Sequence, residues 1–166
     1  MNMTHYMELL AVNQPWNLLL FMAVPVVLAE TVAITELWLL YHRVYDGPVR
    51  SLNRAASILG GVYFTGVFIY LLFNAVMPLT TGGGWRGPAD VIAVLSYLAG
   101  IVPLGGIALI DLGLIARDRD DHARMGVHAA LVGVFLVVAH VAMIFGMMDP
   151  TILGAAPVAG MEHMTH

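Results

Sequence analysis

Residues 125–148 have the sequence MGVHAALVGVFLVVAHVAMIFGMM, and this stretch decides the fold class. It contains no acid and no arginine, and its ionisable side chains are His128 and His140. A helix of about 20 apolar residues crosses a hydrocarbon core of about 30 Å. Because lipid offers the backbone no hydrogen-bond partner, such a run forms a helix. The stretch therefore predicts a membrane-spanning helix.

Three more apolar stretches of similar length cover residues 16–41, 55–77 and 89–116. Short connections make consecutive helices antiparallel neighbours. We therefore predict an all-α integral membrane protein, a four-helix up-down bundle that occupies residues 16–148. The chain is then divided into an N-terminal segment of residues 1–15, this bundle, and a C-terminal tail of residues 149–166 that contains Met and His.

The composition excludes several classes of protein. Of the 166 residues, 60% are hydrophobic and 11% are charged, about half the charge of an ordinary soluble domain. Cysteine is absent, so disulfides and thiolate chemistry are excluded. The net charge of -4 predicts no nucleic-acid partner. Residues 1–14 contain no Lys or Arg, so we expect no cleavable signal peptide.

The arginines predict an orientation. All seven cations are arginine, and they cluster in two of the three connections. The first connection holds Arg43, Arg50 and Arg54, the second holds Arg86, and the third holds Arg117, Arg119 and Arg124. Connections rich in arginine stay in the cytoplasm. The pattern therefore predicts that both termini lie outside, in a prokaryotic inner membrane.

Five ionisable residues fall inside the apolar stretches: Glu30, Glu36, Asp111, His128 and His140. An acid at mid-membrane costs about 2.5–3.5 kcal/mol, so such groups face the bundle interior and find partners. From the helical rise, Glu30 and His140 fall near the middle. The other three fall roughly 10–14 Å towards the cytoplasm. We predict a central pair and an inner cluster.

Carboxylates and imidazoles in this arrangement suit three roles. They bind Zn, Fe, Mn or Cu, they relay protons, or they only hold helices together by hydrogen bonds. The spacing matches no diagnostic motif such as His-Glu-x-x-His, so the ion is weakly constrained.

Methionine and histidine gather at the predicted outer side. Candidate soft-metal ligands there are His5, Met143, Met147, His163, Met164 and His166. Thioether sulfur prefers Cu(I), and imidazole extends the range to Cu(II) and Zn. The competing interpretation is that methionine simply fills apolar space.

The leading hypothesis is a small inner-membrane protein that handles a transition metal ion, with copper first and zinc or iron as alternatives. A second hypothesis is a haem b electron carrier or quinone-linked oxidoreductase, with His42, His128 and His140 as candidate haem ligands. A third is an accessory subunit without catalysis. Whether the protein is an enzyme is left open. The predicted partners are the lipid bilayer and a second copy or a larger membrane complex.

Two prolines interrupt the predicted helices. Pro25 and Pro103 each remove a backbone donor and free a carbonyl one turn earlier, at Phe21 and Ala99. The sequence leaves open whether these are tolerated kinks or bends that make room for a ligand.

Overall fold

A computed structural model describes residues 3–118 and 120–150, and the regular structure in these ranges is helical. A short helix comes first, followed by four helices that are long and apolar enough to cross a membrane. They are α1 (His5–Ala11), α2 (Trp16–His42), α3 (Pro48–Thr81), α4 (Pro88–Asp111) and α5 (Asp121–Met147). The prediction of four apolar spans is confirmed, and these helices indicate that the chain is a membrane protein.

Helix α3 begins seven residues earlier than the hydropathy predicts. Gly47 has a φ of 96°, a left-handed conformation that suits glycine, and Pro48 then occupies the first helical position. Proline is favoured there because its fixed φ is helical and its missing N–H has no partner to lose. As a result, Arg50 and Asn53 lie on the first turns of a helix and not in a connection.

Helix α4 ends earlier than predicted, although apolar residues continue to Ala116. Gly113 has a φ of 72° and donates its N–H to the carbonyl of Ile110 at 2.9 Å. The N–H of Leu114 bonds to the carbonyl of Leu109, also at 2.9 Å. This pair of bonds is the Schellman motif that closes a helix at a glycine. Asp111 therefore lies at the end of the helix.

The four long helices form a closed set of contacts: α2 packs on α3, α3 on α4, α4 on α5, and α5 on α2. Each contributes a buried side chain to one apolar cluster, which contains Val32, Phe64, Ile107 and Phe135. Helices α3 and α4 approach each other closely, because a Cβ added at Gly61 would lie 2.4 Å from the Cβ of Ala108. Small residues allow this approach.

Contacts identify the two ends of the bundle. At one end the first connection meets the first turn of α5, where Tyr45 Oη lies 2.7 Å from His122 Nδ1; we call this the Arg50 end. At the other, α1 lies against the end of α5, and Thr4 Oγ1 donates to the carbonyl of Gly146 at 2.6 Å. Arg86 of the second connection reaches the carbonyl of Met3 there. We call this the α1 end.

Helix α2 contains a π-helical turn over Leu19–Ala23. Within it the N–H of Val24 bonds to the carbonyl of Leu19, so the carbonyl of Leu20 is passed over. Pro25 has no N–H to give to Phe21, as the sequence predicts. Two successive carbonyls therefore need partners from outside the helix.

Two tyrosines from neighbouring helices supply those partners. Tyr63 on α3 donates its hydroxyl to Leu20 at 3.0 Å, and Tyr97 on α4 donates its hydroxyl to Phe21 at 2.6 Å. A backbone carbonyl left unpaired in an apolar environment is costly. The irregular turn of α2 is therefore held by side chains of two other helices.

Candidate functional site

The structure brings Glu36, Asp111 and His128 together as one hydrogen-bonded triad. The three side chains come from α2, α4 and α5, and each residue is no more than 2% exposed. His128 Nδ1 bonds to Glu36 Oε2, and His128 Nε2 lies 3.1 Å from Asp111 Oδ2. These are the residues of the predicted inner cluster, and the structure brings them together.

An imidazole between two carboxylates implies a shared proton. An ionised carboxylate only accepts hydrogen bonds, and a neutral imidazole has a single N–H to donate. For both bonds to form, either the ring of His128 carries two protons or one of the two carboxyl groups carries one. In each case a proton lies on a short chain of three groups that are all able to bind it.

Three polar residues of α3 complete the site, and they were not predicted from the sequence. Arg50 Nη2 lies 2.5 Å from Asp111 Oδ1, and Ser57 Oγ donates to Asp111 Oδ2. Asn53 Oδ1 accepts from Arg50 at 2.6 Å. Residues 50, 53 and 57 have the i, i+3, i+7 spacing of one helix face. That signal was present, but the early start of α3 is needed to see it.

Formal charges in this cluster balance when the imidazole is protonated. Arg50 and a protonated His128 supply two positive charges, and Glu36 and Asp111 supply two negative ones. Buried charge without compensation is costly, so neutrality favours the doubly protonated ring. Within the described residues Glu36 Oε1 is buried and has no hydrogen-bond partner. It is therefore an open position for a further proton or a water molecule.

A polar cavity of about 430 Å³ lies at the Arg50 end. It is lined by residues of the first and third connections and of the adjoining helix ends, including Tyr45, Arg50, Arg54, Asp111 and Arg124. Asp111 is thus the member of the triad that meets the cavity, while Glu36 lies on the far side of His128. The site has a polar entrance and a buried end.

The predicted central pair has a different environment. Glu30 on α2 and His140 on α5 are both exposed on the bundle surface, and both line one apolar groove of about 280 Å³. No hydrogen bond joins the two side chains in the part of the chain that the structure describes. His140 Nδ1 instead lies 2.6 Å from the carbonyl of Leu136 in its own helix.

Comparison with known proteins assigns a family. A family model described as "Family of unknown function (DUF6803)" matches residues 1–162. The chain belongs to this family. The match includes all four apolar helices, the triad and the groove of this DUF6803 member. No curated protein matches the chain, and no solved structure matches it.

The predicted metal ligands are dispersed. Across residues 3–118 and 120–150, no three His, Asp or Glu side chains are placed to hold one metal ion. His5 bonds to Asp90 at 2.6 Å at the α1 end, Met143 lines the groove, and Met147 is exposed. The remaining candidates, His163, Met164 and His166, lie outside the described residues. Metal binding stays a prediction.

The three candidate haem ligands each have a different environment. His42 is exposed, its Nδ1 lies 2.9 Å from the carbonyl of Trp38, and its ring stacks on that indole. Both ring nitrogens of His128 are bonded to carboxylates. His140 faces the groove. Haem b binding therefore stays a prediction that the described geometry does not support specifically.

Proposed function

We propose that this protein moves protons across a prokaryotic inner membrane, with the Glu36–His128–Asp111 triad as one part of the path. One observation carries the proposal: His128 bonds through its two ring nitrogens to two carboxyl groups, and only one of these lines a polar cavity. An imidazole so placed accepts a proton on one nitrogen and releases another from the second.

The arginines indicate how the protein is oriented in the membrane. Six of the seven arginines lie in the first and third connections or within two helical turns of them, at the Arg50 end. The positive-inside rule then places this end, and the polar cavity, in the cytoplasm and both termini outside in an up-down bundle. In this orientation protons reach Asp111 from the cytoplasmic side.

The transfer proceeds in two balanced moves. A proton on the Asp111 carboxyl passes to Nε2 of a His128 ring protonated only at Nδ1, which gives the neutral cluster with the doubly protonated ring, and the Nδ1 proton then passes to Glu36. The ring now carries its proton at Nε2, and it rotates to bring this proton to the Glu36 side before it accepts the next one. Glu36 Oε1, which is unpaired in the described residues, accepts hydrogen bonds from water or from a further carrier. Arg50 and Ser57 keep Asp111 in position throughout. No bond other than those to protons forms or breaks.

A flux measurement tests the proposal. Purified protein is placed in vesicles that contain a pH-sensitive dye, and a potassium diffusion potential drives protons. We expect flux above that of protein-free vesicles, and a loss of about 100-fold or more in His128→Gln, because positioned proton donors accelerate transfer by such factors. His42→Gln, an exposed histidine outside the triad, keeps the flux. Wild-type vesicles no faster than protein-free ones would overturn the proposal.

Nitrogen NMR of the histidines gives a second, independent readout. In the intact triad both ring nitrogens of His128 carry protons at neutral pH, because the cluster is neutral in that state. In Glu36→Gln one negative charge is lost, and the ring then carries one proton. An unprotonated nitrogen on His128 in the wild-type protein contradicts the proposed charge state.

Transition-metal handling, the first interpretation of the sequence, remains a separate prediction. Elemental analysis of protein purified without chelators checks it. About one copper, zinc or iron ion per chain supports it, and metal-free protein whose stability does not respond to added copper counts against it.

A further inference from the structure

We infer that the groove between α2 and α5 binds a flat, lipophilic ring compound with hydrogen-bonding oxygens, the chemistry of a membrane quinone. This site is separate from the triad and goes beyond the proposed proton path. The observation that carries it is an aromatic-lined groove that opens on the apolar surface of the bundle and presents one carboxyl group and one imidazole.

The size of the groove favours an organic ring over an ion. Its volume is about 280 Å³, just below the range of about 300–1,000 Å³ that small-molecule sites occupy. A single water-sized ligand needs only about 30 Å³. The residues that line it are mostly apolar, and five of them carry aromatic rings: Tyr6, Phe21, Phe64, Tyr97 and Phe135. Aromatic walls stack on a flat ring.

The two ionisable side chains supply the polar contacts. His140 Nδ1 is engaged with the carbonyl of Leu136, so its Nε2 is the nitrogen left for a ligand. Glu30 lies on the opposite wall, on α2. A quinone carbonyl accepts a hydrogen bond from a protonated group, and a quinol hydroxyl donates one to an unprotonated nitrogen. The two walls together suit a ring with an oxygen at each side.

The position of the groove indicates a lipid-soluble ligand. Glu30 and His140 are exposed on apolar helices, so the groove opens to the region that acyl chains occupy. A lipid tail alone gives no reason for an acid and an imidazole in such a place, since ionisable groups there are costly. A lipophile with polar oxygens accounts for both.

Photolabelling tests the site in detergent-purified full-length protein. The probe is an azido-quinone, with decylubiquinone as the competitor and mass spectrometry to locate the label. We expect labelling on groove residues such as Met22 or Met143 and its loss when decylubiquinone is added. His140→Ala lowers labelling about tenfold, the effect of one lost hydrogen bond on affinity.

Two further variants separate a binding defect from misfolding. Ala139→Phe fills the groove without altering a polar group, and we expect it to abolish labelling while the circular dichroism stays unchanged. His122→Gln, at the Arg50 end, keeps full labelling. Glu36→Gln also keeps it, so failure of the proton path and failure of this site are distinguishable.

Four outcomes overturn the inference: labelling outside the groove, equal competition by palmitate, protection by copper ions but not by decylubiquinone, or a groove covered by a second copy of the chain. The first refutes the location, and the others assign the groove to an acyl chain, a metal or a dimer.

Discussion

Arg50 Nη2 lies 2.5 Å from Asp111 Oδ1, so the first turn of α3 supplies a cation to the last residue of α4. The carboxylate is fully buried, and the arginine side chain is 20% exposed. The pair joins the triad to the polar cavity, and it also fixes how the ends of two helices meet.

Removal of this cation should destabilise the protein. Arg50→Gln leaves the two buried carboxylates of Asp111 and Glu36 with one positive charge between them, that of His128. Breaking a buried ion pair in this way costs about 3 kcal/mol. We expect a lower midpoint in detergent unfolding followed by circular dichroism. Arg117→Gln is the matched control, because Arg117 is exposed and its one hydrogen bond within the described residues is to the nearby carbonyl of Gly113.

The double variant Arg50→Gln with Asp111→Asn isolates the interaction. Because the buried charge is then gone together with its partner, we expect the double variant to lose less stability than the sum of the two single variants. Strict additivity would show that the pair contributes no coupling energy.

The close contact of α3 and α4 makes a second prediction. Gly61→Ala places a methyl group 2.4 Å from the Cβ of Ala108 and 2.9 Å from the carbonyl oxygen of Leu104, so the helices must separate. Overpacking of this kind costs about 1–3 kcal/mol. Gly66→Ala on the same helix meets nothing within 4 Å and serves as the control. Equal unfolding midpoints of the two variants contradict the packing described here.

The sequence predicts the inner cluster but not its full membership. Glu36, Asp111 and His128 could be aligned because depth in a helix follows from residue number alone. Arg50 and Asn53 were missed because the predicted apolar span begins after Arg54, at residue 55. The amphipathic first turns of α3 depend instead on the turn at Gly47 and on Pro48.

The exposure of Glu30 and His140, the predicted central pair, was the least predictable feature of the structure. Depth places Glu30 and His140 at similar levels, but the rotation of each helix decides whether a side chain faces inward. The apolar residues of these helices are distributed all round, so the sequence pattern defines no inner face for them. The structure places both residues on the exposed side, around a groove.

A third prediction concerns the irregular turn of α2. Tyr97→Phe removes the hydroxyl that lies 2.6 Å from the carbonyl of Phe21 and should cost about 1 kcal/mol in detergent unfolding. Tyr41→Phe, at an exposed position, should cost almost nothing. Adding Pro25→Ala restores a backbone donor near Phe21 and should reduce the cost of Tyr97→Phe. A cost unaffected by that addition shows that the hydroxyl acts elsewhere.

A fourth prediction concerns the docking of α1. Asp90 is fully buried and accepts from the His5 N–H and bonds to the His5 ring, both at 2.6 Å, and from the Arg86 N–H at 3.2 Å. Asp90→Ala leaves these donors unpaired, so α1 should detach and be cut faster in limited proteolysis. Asp121→Ala, an exposed acid, is the control. Unchanged cleavage within residues 3–11 rules out this role for Asp90.

The docking of α1 should also weaken in strong alkali. Burial raises the pKa of Tyr6 above its ordinary value of 10.0. Because the hydroxyl stays neutral longer in the docked state, its contribution is complete below pH 10 and is lost as the pH rises through the raised pKa. Tyrosinate absorbance of the wild type minus that of Tyr6→Phe should show a midpoint above 10.0. A midpoint at or below that value contradicts the burial.

Every long helix places a side chain in the hydrogen-bonded group around His128: Glu36 from α2, Ser57 and Arg50 from α3, and Asp111 from α4. The imidazole itself belongs to α5. Adding or removing one proton therefore changes the attraction among all four helices at the same instant. Protonation of this single ring is therefore coupled to the packing of the whole bundle.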